Sequence, residues 1–191
     1  MAKSIDEIPV EPREKYTCAL MGDSLTSKTG LVESYGRTVE HSNILHMPDY
    51  SCLYVSDGAT RVELDVHESP SGGGQSQFAD VILMAFNVAS KESFDKIENV
   101  FLPLAKKNHP QIPVILVGSD VNLRYGAGEK AWTATPEMGF DLALRIGAVE
   151  YVECSSLHGH GVRILFEAAV KSAKKHKCDQ ERRKRRKCVI V

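Results

Sequence analysis

Short apolar runs, separated by polar or mixed segments, recur along the chain. Four of them predict buried strands, the last more weakly than the others: residues 17–21, 81–86, 114–117 and 151–154. Continuous apolar runs are typical of strands covered on both faces, as in a parallel sheet. The longest uninterrupted run, 81–86, is far short of the roughly 20 residues that a bilayer-spanning helix needs. We therefore expect a buried sheet and no transmembrane segment.

Segments with helical spacing lie between these runs. Residues 28–35 predict a short helix, and residues 50–55 and 61–66 predict a hairpin. Apolar positions three and four apart define two further helical faces, formed by Phe94, Ile97, Phe101 and Leu104 and by Val162, Leu165, Phe166, Ala169 and Ala173. This alternation of strands and helices indicates an α/β fold with a mostly parallel sheet.

Charge is distributed unevenly along the 191 residues. Residues 174–187 carry nine Lys or Arg and two acids, a net charge of +7, which leaves −8 for the rest of the chain. We expect an N-terminal extension at 1–14, one domain at 15–177 and a disordered basic tail at 178–191. Because the two charges nearly cancel, the charge of the tail is more informative about binding partners than the net charge of the chain.

Composition excludes several classes of protein. With 42% hydrophobic and 26% charged residues, a wholly disordered chain is excluded. The five cysteines include no CxxC pair, which argues against a disulfide framework or a zinc site and favours reduced thiols. The first 15 residues are polar and mixed in charge, unlike a secretory signal.

The first segment with chemistry follows the first strand and opens the first helix. It reads Gly-Asp-Ser-Leu-Thr-Ser-Lys-Thr and fits the phosphate-binding loop GxxxxGK[ST] except at its second Gly. In such a loop, backbone N–H groups and a Lys hold phosphates, and the Thr hydroxyl binds magnesium. The candidate nucleotide-binding residues are Gly22, Asp23, Ser24, Leu25, Thr26, Ser27, Lys28 and Thr29. The alternative is an ordinary helix start with Thr26 or Ser27 as N-cap.

The second segment is the C-terminal Cys188-Val-Ile-Val191, which has the CaaX form of a prenylation site. Because one lipid chain binds membranes only marginally, a second signal is needed, and a basic cluster supplies it on an anionic leaflet. The candidate membrane-binding residues are Arg182, Arg183, Lys184, Arg185, Arg186 and Lys187. A solvated tail is the alternative; a nucleic-acid-binding role would leave Cys188 unexplained, so we expect no nucleic-acid partner.

The order of further segments resembles the Rho family of small GTPases over about residues 15–191. The segments that carry the resemblance, besides the loop and the CaaX end, are residues 79–86, 112–118, 135–139, 145–148 and 153–156. The resemblance implies a P-loop NTPase fold of the small-GTPase type, with a mostly parallel six-stranded sheet and helices on both faces. It also implies protein effectors and regulators of the Rho type.

The resemblance further implies GTP or GDP with magnesium as the cofactor. Thr29 and Asp65 would hold the metal, while Asn122, Ser155 and Ser156 would lie at the base. A lipid-anchored, partly cytosolic protein on the cytoplasmic face of the plasma membrane or endomembranes is the expected location.

The chain departs from the family pattern around the phosphates. Ser24 and Ser27 replace loop glycines, and no Thr lies between Thr38 and Thr60 to close on magnesium. The family segment Asp-Thr-Ala-Gly-Gln aligns with residues 65–69, so that Glu68 replaces the γ-phosphate-sensing Gly and Ser69 the water-orienting Gln. We therefore expect GTP hydrolysis to be very slow or absent.

The base site and the Rho-type insert differ as well. Asp120 replaces a Lys that packs on the base, and Asn122 replaces an Asp that accepts two hydrogen bonds from guanine. One donor then faces another donor, at a cost of roughly 1–3 kcal/mol. The insert between Arg124 and Thr135 is shorter than in the family.

Three functions remain open. The first is an atypical Rho-like GTPase, a membrane-tethered switch in actin, polarity or traffic signalling. The second is a pseudo-GTPase, an interaction module that binds no nucleotide. The third, a nuclear or nucleic-acid-binding protein, predicts binding that depends steeply on salt and indifference to Cys188→Ser.

Overall fold

A computed structural model describes residues 14–39, 44–58, 60–69, 79–126 and 131–187. Of the expected N-terminal extension, only Glu14 lies within these ranges. The CaaX residues 188–191 and residues 70–78 also lie outside them.

Within these ranges, seven strands form one sheet in the order β2-β3-β4-β1-β5-β6-β7. Their bounds are Lys15–Met21 (β1), Leu45–His46 (β2), Ser51–Asp57 (β3), Thr60–Ser69 (β4), Val81–Asn87 (β5), Val114–Ser119 (β6) and Glu150–Glu153 (β7). The β1, β4, β5, β6 and β7 pairings are parallel, whereas β3 is antiparallel to both β2 and β4. The mostly parallel α/β sheet and the β3–β4 hairpin are thus confirmed. The expected strand count of six is one too low, because the two-residue β2 adds an edge strand that leaves no apolar pattern.

The helices are α1 (Lys28–Thr38), α2 (Lys91–Lys96), α3 (Leu102–Asn108), α4 (Leu123–Gly126), α5 (Pro136–Ile146) and α6 (Val162–Lys187), with a π-helical segment at Ile97–Phe101 between α2 and α3. The Ser90 side chain caps α2, and the Thr135 side chain accepts the Met138 N–H at the start of α5. Left-handed Gly147, with φ 72°, ends α5.

Two apolar clusters cover the sheet, one on each face. On one side, Leu31 and Tyr35 of α1 and Phe166 of α6 pack on the sheet, and the Tyr35 and Phe166 rings meet edge to face at 5.1 Å. On the other side, Phe94 and Phe101 and the inner face of α5 pack on β5 and β6. The predicted helical faces are therefore confirmed, and the helices lie on both sides.

The basic segment differs from the expectation. Helix α6 continues to Lys187, so the expected disorder of 178–191 is wrong for residues 178–187. From 162 to 187 the chain has no Gly or Pro and is rich in Lys, Arg and Ala, all good helix formers. Lys174 also pairs with Asp57 at 2.8 Å. Within the described ranges, no helix combines the length and apolar character needed to cross a bilayer.

Candidate nucleotide site

The loop at 22–27 joins the end of β1 to the start of α1, which is the strand–loop–helix context that the motif requires. A Cβ atom at Gly22 would lie 2.7 Å from the Ala85 carbonyl oxygen, so this position needs glycine. The Asp23 carboxylate accepts the Leu25 N–H at 2.9 Å and lies 3.5 Å from the Lys96 ammonium. Ser24 and Leu25 are exposed. The loop is thus fixed at its base and open at its tip.

Lys28 is turned back onto its own loop. Its Nζ donates to the carbonyl oxygens of Gly22 at 3.0 Å and Asp23 at 2.6 Å, and the residue is only 8% exposed. Burial lowers the pKa of Lys28, while the charges of Glu68 and Asp23 act in the opposite direction. The ammonium is therefore held where loop oxygens take the place that phosphate oxygens would otherwise take.

The backbone at Ser27 closes the loop further. Its φ of −75° and ψ of 59° form an inverse γ-turn, in which the Lys28 N–H donates to the Thr26 carbonyl oxygen at 2.8 Å. Phosphate binding at a helix N-terminus uses such free N–H groups. In this conformation the Lys28 N–H already donates to an oxygen of the loop itself.

The acid that contacts Thr29 is Glu68. Its Oε2 accepts the Thr29 hydroxyl at 2.8 Å, across from the last residues of β4 to the start of α1. The expectation that Asp65 lies beside Thr29 is wrong. In the parallel β1–β4 pair, Asp65 stands opposite Thr17, which lies four residues, or about 13 Å, before the end of β1.

The alternation of side chains along β4 also assigns Glu68, and not Asp65, to the side of the sheet that α1 covers. Leu64 and Val66 face the cluster that contains α1, so Glu68 points to the same side, whereas Asp65 points to the opposite side. Asp65 instead pairs with the Lys15 ammonium at 2.8 Å, and Lys15 also pairs with Glu63. Among the described residues this ion-pair cluster is separate from the phosphate loop.

The alignment of the family segment Asp-Thr-Ala-Gly-Gln with this chain shifts when Glu68 is taken as its acid. If Glu68 takes the place of the family Asp, the family Gly corresponds to Ser71 and the family Gln to Gly72. On that alignment Ser71 and Gly72, rather than Glu68 and Ser69, replace the Gly and the Gln. Ser71 and Gly72 lie outside the described residues, and Gly72 has no side chain with which to orient water.

Asn122 and Ser155, expected at the base, lie next to each other. The Asn122 Oδ1 accepts the Ser155 hydroxyl at 2.7 Å, and Ser155 is 2% exposed. The Asn122 side chain ends in one acceptor oxygen and one donor NH₂, and the NH₂ opposes the donors of a guanine edge. The salt bridge of Arg124 with Glu153, at 2.6 Å, supports the two loops.

Asp120 is the residue whose role the sequence did not reveal. It is 8% exposed, has a left-handed φ of 59°, and accepts the Ser27 hydroxyl at 3.1 Å from Oδ1. Further donors to its carboxylate are Asn87 Nδ2 at 3.0 Å, Ser119 Oγ at 3.2 Å and Ser156 Oγ at 3.4 Å. The only sequence signal was that two departures from the family, Ser27 and Asp120, are complementary as donor and acceptor.

The donor set fits magnesium and phosphate in part. A Thr hydroxyl and a carboxylate are hard oxygen ligands of the kind that magnesium prefers, and Thr29 and Glu68 supply both. Lys28 supplies a cation for phosphate. The Lys28 ammonium and backbone N–H, in contrast, donate to oxygens of the loop itself.

A family comparison covers the base-side residues but not the phosphate loop. Residues 72–175 match the model of the Ras family, more than half of the chain. Proteins of that family are small GTPases, which bind guanine nucleotide and magnesium and act as switches. The chain belongs to the Ras family.

Proposed function

We propose that the chain is an atypical Rho-like small GTPase, a membrane-tethered switch that binds GTP with magnesium and hydrolyses it very slowly. The observation that carries the proposal is the contact between Thr29, at the start of α1, and Glu68, at the end of β4. It joins a hydroxyl and a carboxylate beside Lys28, the groups that bind magnesium and phosphate in a loop of this kind.

Slow hydrolysis follows from groups that the chain lacks in sequence. Gly72 takes the place of the Gln that orients the attacking water, and Ser24 adds a side chain at the loop tip. Since no Thr lies between Thr38 and Thr60, the usual closure on magnesium is missing as well. Retained binding with impaired turnover makes a switch that stays loaded.

Guanine selectivity should be weak. Asn122 has one acceptor and one donor where the family Asp has two acceptors, so one donor of a guanine edge meets the Asn122 NH₂. Selectivity would then depend on the backbone near Ser155 and Ser156 rather than on this side chain.

Membrane tethering would use Cys188 and the basic end of α6. Residues 182–186 are exposed on that helix, so their charges are available to an anionic leaflet. By the Rho resemblance, the partners are effectors and regulators that act in actin, polarity or traffic signalling. Cys188→Ser should move the full-length protein from the membrane to the cytosolic fraction, whereas Cys178→Ser should not. An unchanged distribution of Cys188→Ser would count against the anchor.

A second candidate, a pseudo-GTPase that binds no nucleotide, is favoured by one observation. Both the Nζ and the backbone N–H of Lys28 bond to oxygens of the loop itself. A loop whose donors are satisfied in this way needs no ligand to fold.

The test is the nucleotide content of the purified full-length protein, released by denaturation and separated by chromatography. Wild type is compared with Lys28→Ala and with Lys91→Ala, a control on an exposed Lys outside the loop. Bound GTP that Lys28→Ala alone loses supports the proposal. Bound GDP means that the protein still hydrolyses GTP, and the proposal of very slow hydrolysis is then wrong. An empty protein with no thermal shift in magnesium and GTP supports the pseudo-GTPase instead.

A further inference from the structure

Two departures from the family pattern lie against each other. Ser27 stands where the loop motif has a Gly, and Asp120 stands where the base site has a Lys. The Ser27 hydroxyl lies 3.1 and 3.2 Å from the two Asp120 carboxylate oxygens. We propose that Asp120 and Ser27 form a clamp that holds the phosphate loop closed and thereby lowers nucleotide affinity. The inference rests on the proposed nucleotide binding.

The acceptor side of the clamp is firmly anchored. Asp120 follows β6 and receives hydrogen bonds from Asn87, the last residue of β5, and from Ser156 after β7. Asn87 also donates to the Leu25 carbonyl oxygen at 3.0 Å, which ties the loop tip to the same point. Because three strand ends meet at one buried carboxylate, Asp120 cannot follow the loop if the loop opens.

The donor side lies at the residue that must move. Ser27 is the central residue of the inverse γ-turn, and its side chain is fixed to Asp120. While Ser27 stays there, the Lys28 N–H remains on the Thr26 oxygen. Phosphate would compete for that N–H and for the Lys28 ammonium, so the energy of the clamp opposes binding.

This arrangement has a signature that an ordinary structural hydrogen bond lacks. Binding and clamp closure are linked, so anything that weakens the closed loop must favour the open, binding-competent one. Removing the Ser27 hydroxyl should therefore destabilise the empty protein and tighten nucleotide binding at once. A bond that only supports the fold would change stability without tightening binding.

The experiment uses the full-length protein, stripped of nucleotide with EDTA and phosphatase. The thermal midpoint of the empty protein and the affinity for fluorescent GDP and GTP with magnesium are measured for wild type and Ser27→Gly. Ser172→Gly, within α6, is the matched control, since a helical Gly lowers stability without touching the loop. We expect both Gly variants to lower the midpoint, and Ser27→Gly alone to tighten binding, by roughly tenfold.

Asp120→Asn provides a second variant in case Ser27→Gly does not fold. It keeps the size of the side chain but weakens the acceptor, so binding should tighten by less than in Ser27→Gly. A gain due only to the lost negative charge would shrink at high salt, whereas a gain from opening the clamp persists.

The outcomes separate the clamp from the proposed function. Binding by both Ser27→Gly and Asp120→Asn but not by wild type supports the clamp and removes the proposal that the native chain carries GTP. A gain confined to Ser27→Gly, which also removes the Cβ from the loop, overturns the clamp. Equal affinities for wild type and Ser27→Gly overturn the clamp and leave GTP binding intact. Absence of binding in both, with Lys28→Ala indistinguishable from them, overturns the two proposals together.

Discussion

The chain has two halves that differ in their likeness to the family. Residues 72–175 match the Ras family, whereas the half that contains the phosphate loop and the β3–β4 hairpin lies outside the match. Yet both halves share one sheet, joined at β1, which pairs with β4 on one side and β5 on the other. Asp120 and Asn122, two of the altered polar residues, even lie within the matched half. Family likeness is thus carried by packing, while nucleotide chemistry depends on a few polar positions.

The largest test of this comparison concerns the cores of the two halves. Leu64 on β4 and Leu116 on β6 are both fully buried, one in each half. If both halves are packed equally well, Leu64→Ala and Leu116→Ala should each lower the free energy of unfolding by about 2–5 kcal/mol. Urea unfolding of the two variants beside wild type measures the effect.

Very different losses in the free energy of unfolding for the two variants would contradict the expectation that the halves are packed equally well. A cost below about 1 kcal/mol for Leu64→Ala, with a normal cost for Leu116→Ala, would mean that the half outside the match is loosely packed. Leu53→Ala, in the same half and also fully buried, then shows whether the looseness is local to β4.

The sequence predicted the packing of both halves better than their polar contacts. Buried runs such as 81–86 and the spacing of Phe94, Ile97 and Phe101 determine strands and helices locally, because each is read within one element. Asp65 was placed at the metal because an acid at the right approximate distance looks like the motif. The alternation of Leu64 and Val66 assigns the α1 side to Glu68 instead, but only once the covered face is known.

The long-range pairs could not be predicted for a related reason. Ser27 and Asp120 are separated by 93 residues and meet only because β1 and β6 end at the same edge of the sheet. The helical end of α6 was also missed, since a run of basic residues suits a disordered tail and an exposed helix equally well. The sequence pattern alone does not distinguish a disordered tail from a helix. The long-range contacts of Lys174 with Asp57 and Glu14 favour the helix.

A smaller effect is expected at the ion pair of the matched half. Arg124 holds Glu153 through two hydrogen bonds of 2.7 and 2.6 Å. Arg124→Met should lower the free energy of unfolding at pH 7 by about 2 kcal/mol, less than for a fully buried pair, because the two side chains remain 17% and 25% exposed. Urea unfolding measures this value, with Arg163→Met as an exposed control that should change little.

The same pair predicts a pH dependence. Burial acts to raise the pKa of Glu153, but hydrogen bonds from Arg124 and Tyr151 bring it below the ordinary 4.5. The unfolded state therefore binds a proton more readily, and this part of the stability is present above pH 4.5 and lost as the pH falls through the folded-state pKa. The difference between wild type and Arg124→Met should thus shrink from pH 7 to pH 3. A constant difference would show that Arg124 acts by packing alone.

The smallest effect, a difference in labelling rate, compares the thiols of the two halves. Burial raises the pKa of Cys18 and Cys154 to about 12, and burial with the charges of Glu63 and Asp65 raises that of Cys52 to about 11. Since thiolate is the reactive form, exposed Cys178 should react with iodoacetamide first at pH 8 and the other three far more slowly. Cys52, on β3 beside the two-residue edge strand, should be the next to react. Mass spectrometry of timed samples in a Cys188→Ser background gives the order, and labelling of Cys154 before Cys52 would place the weaker packing in the matched half.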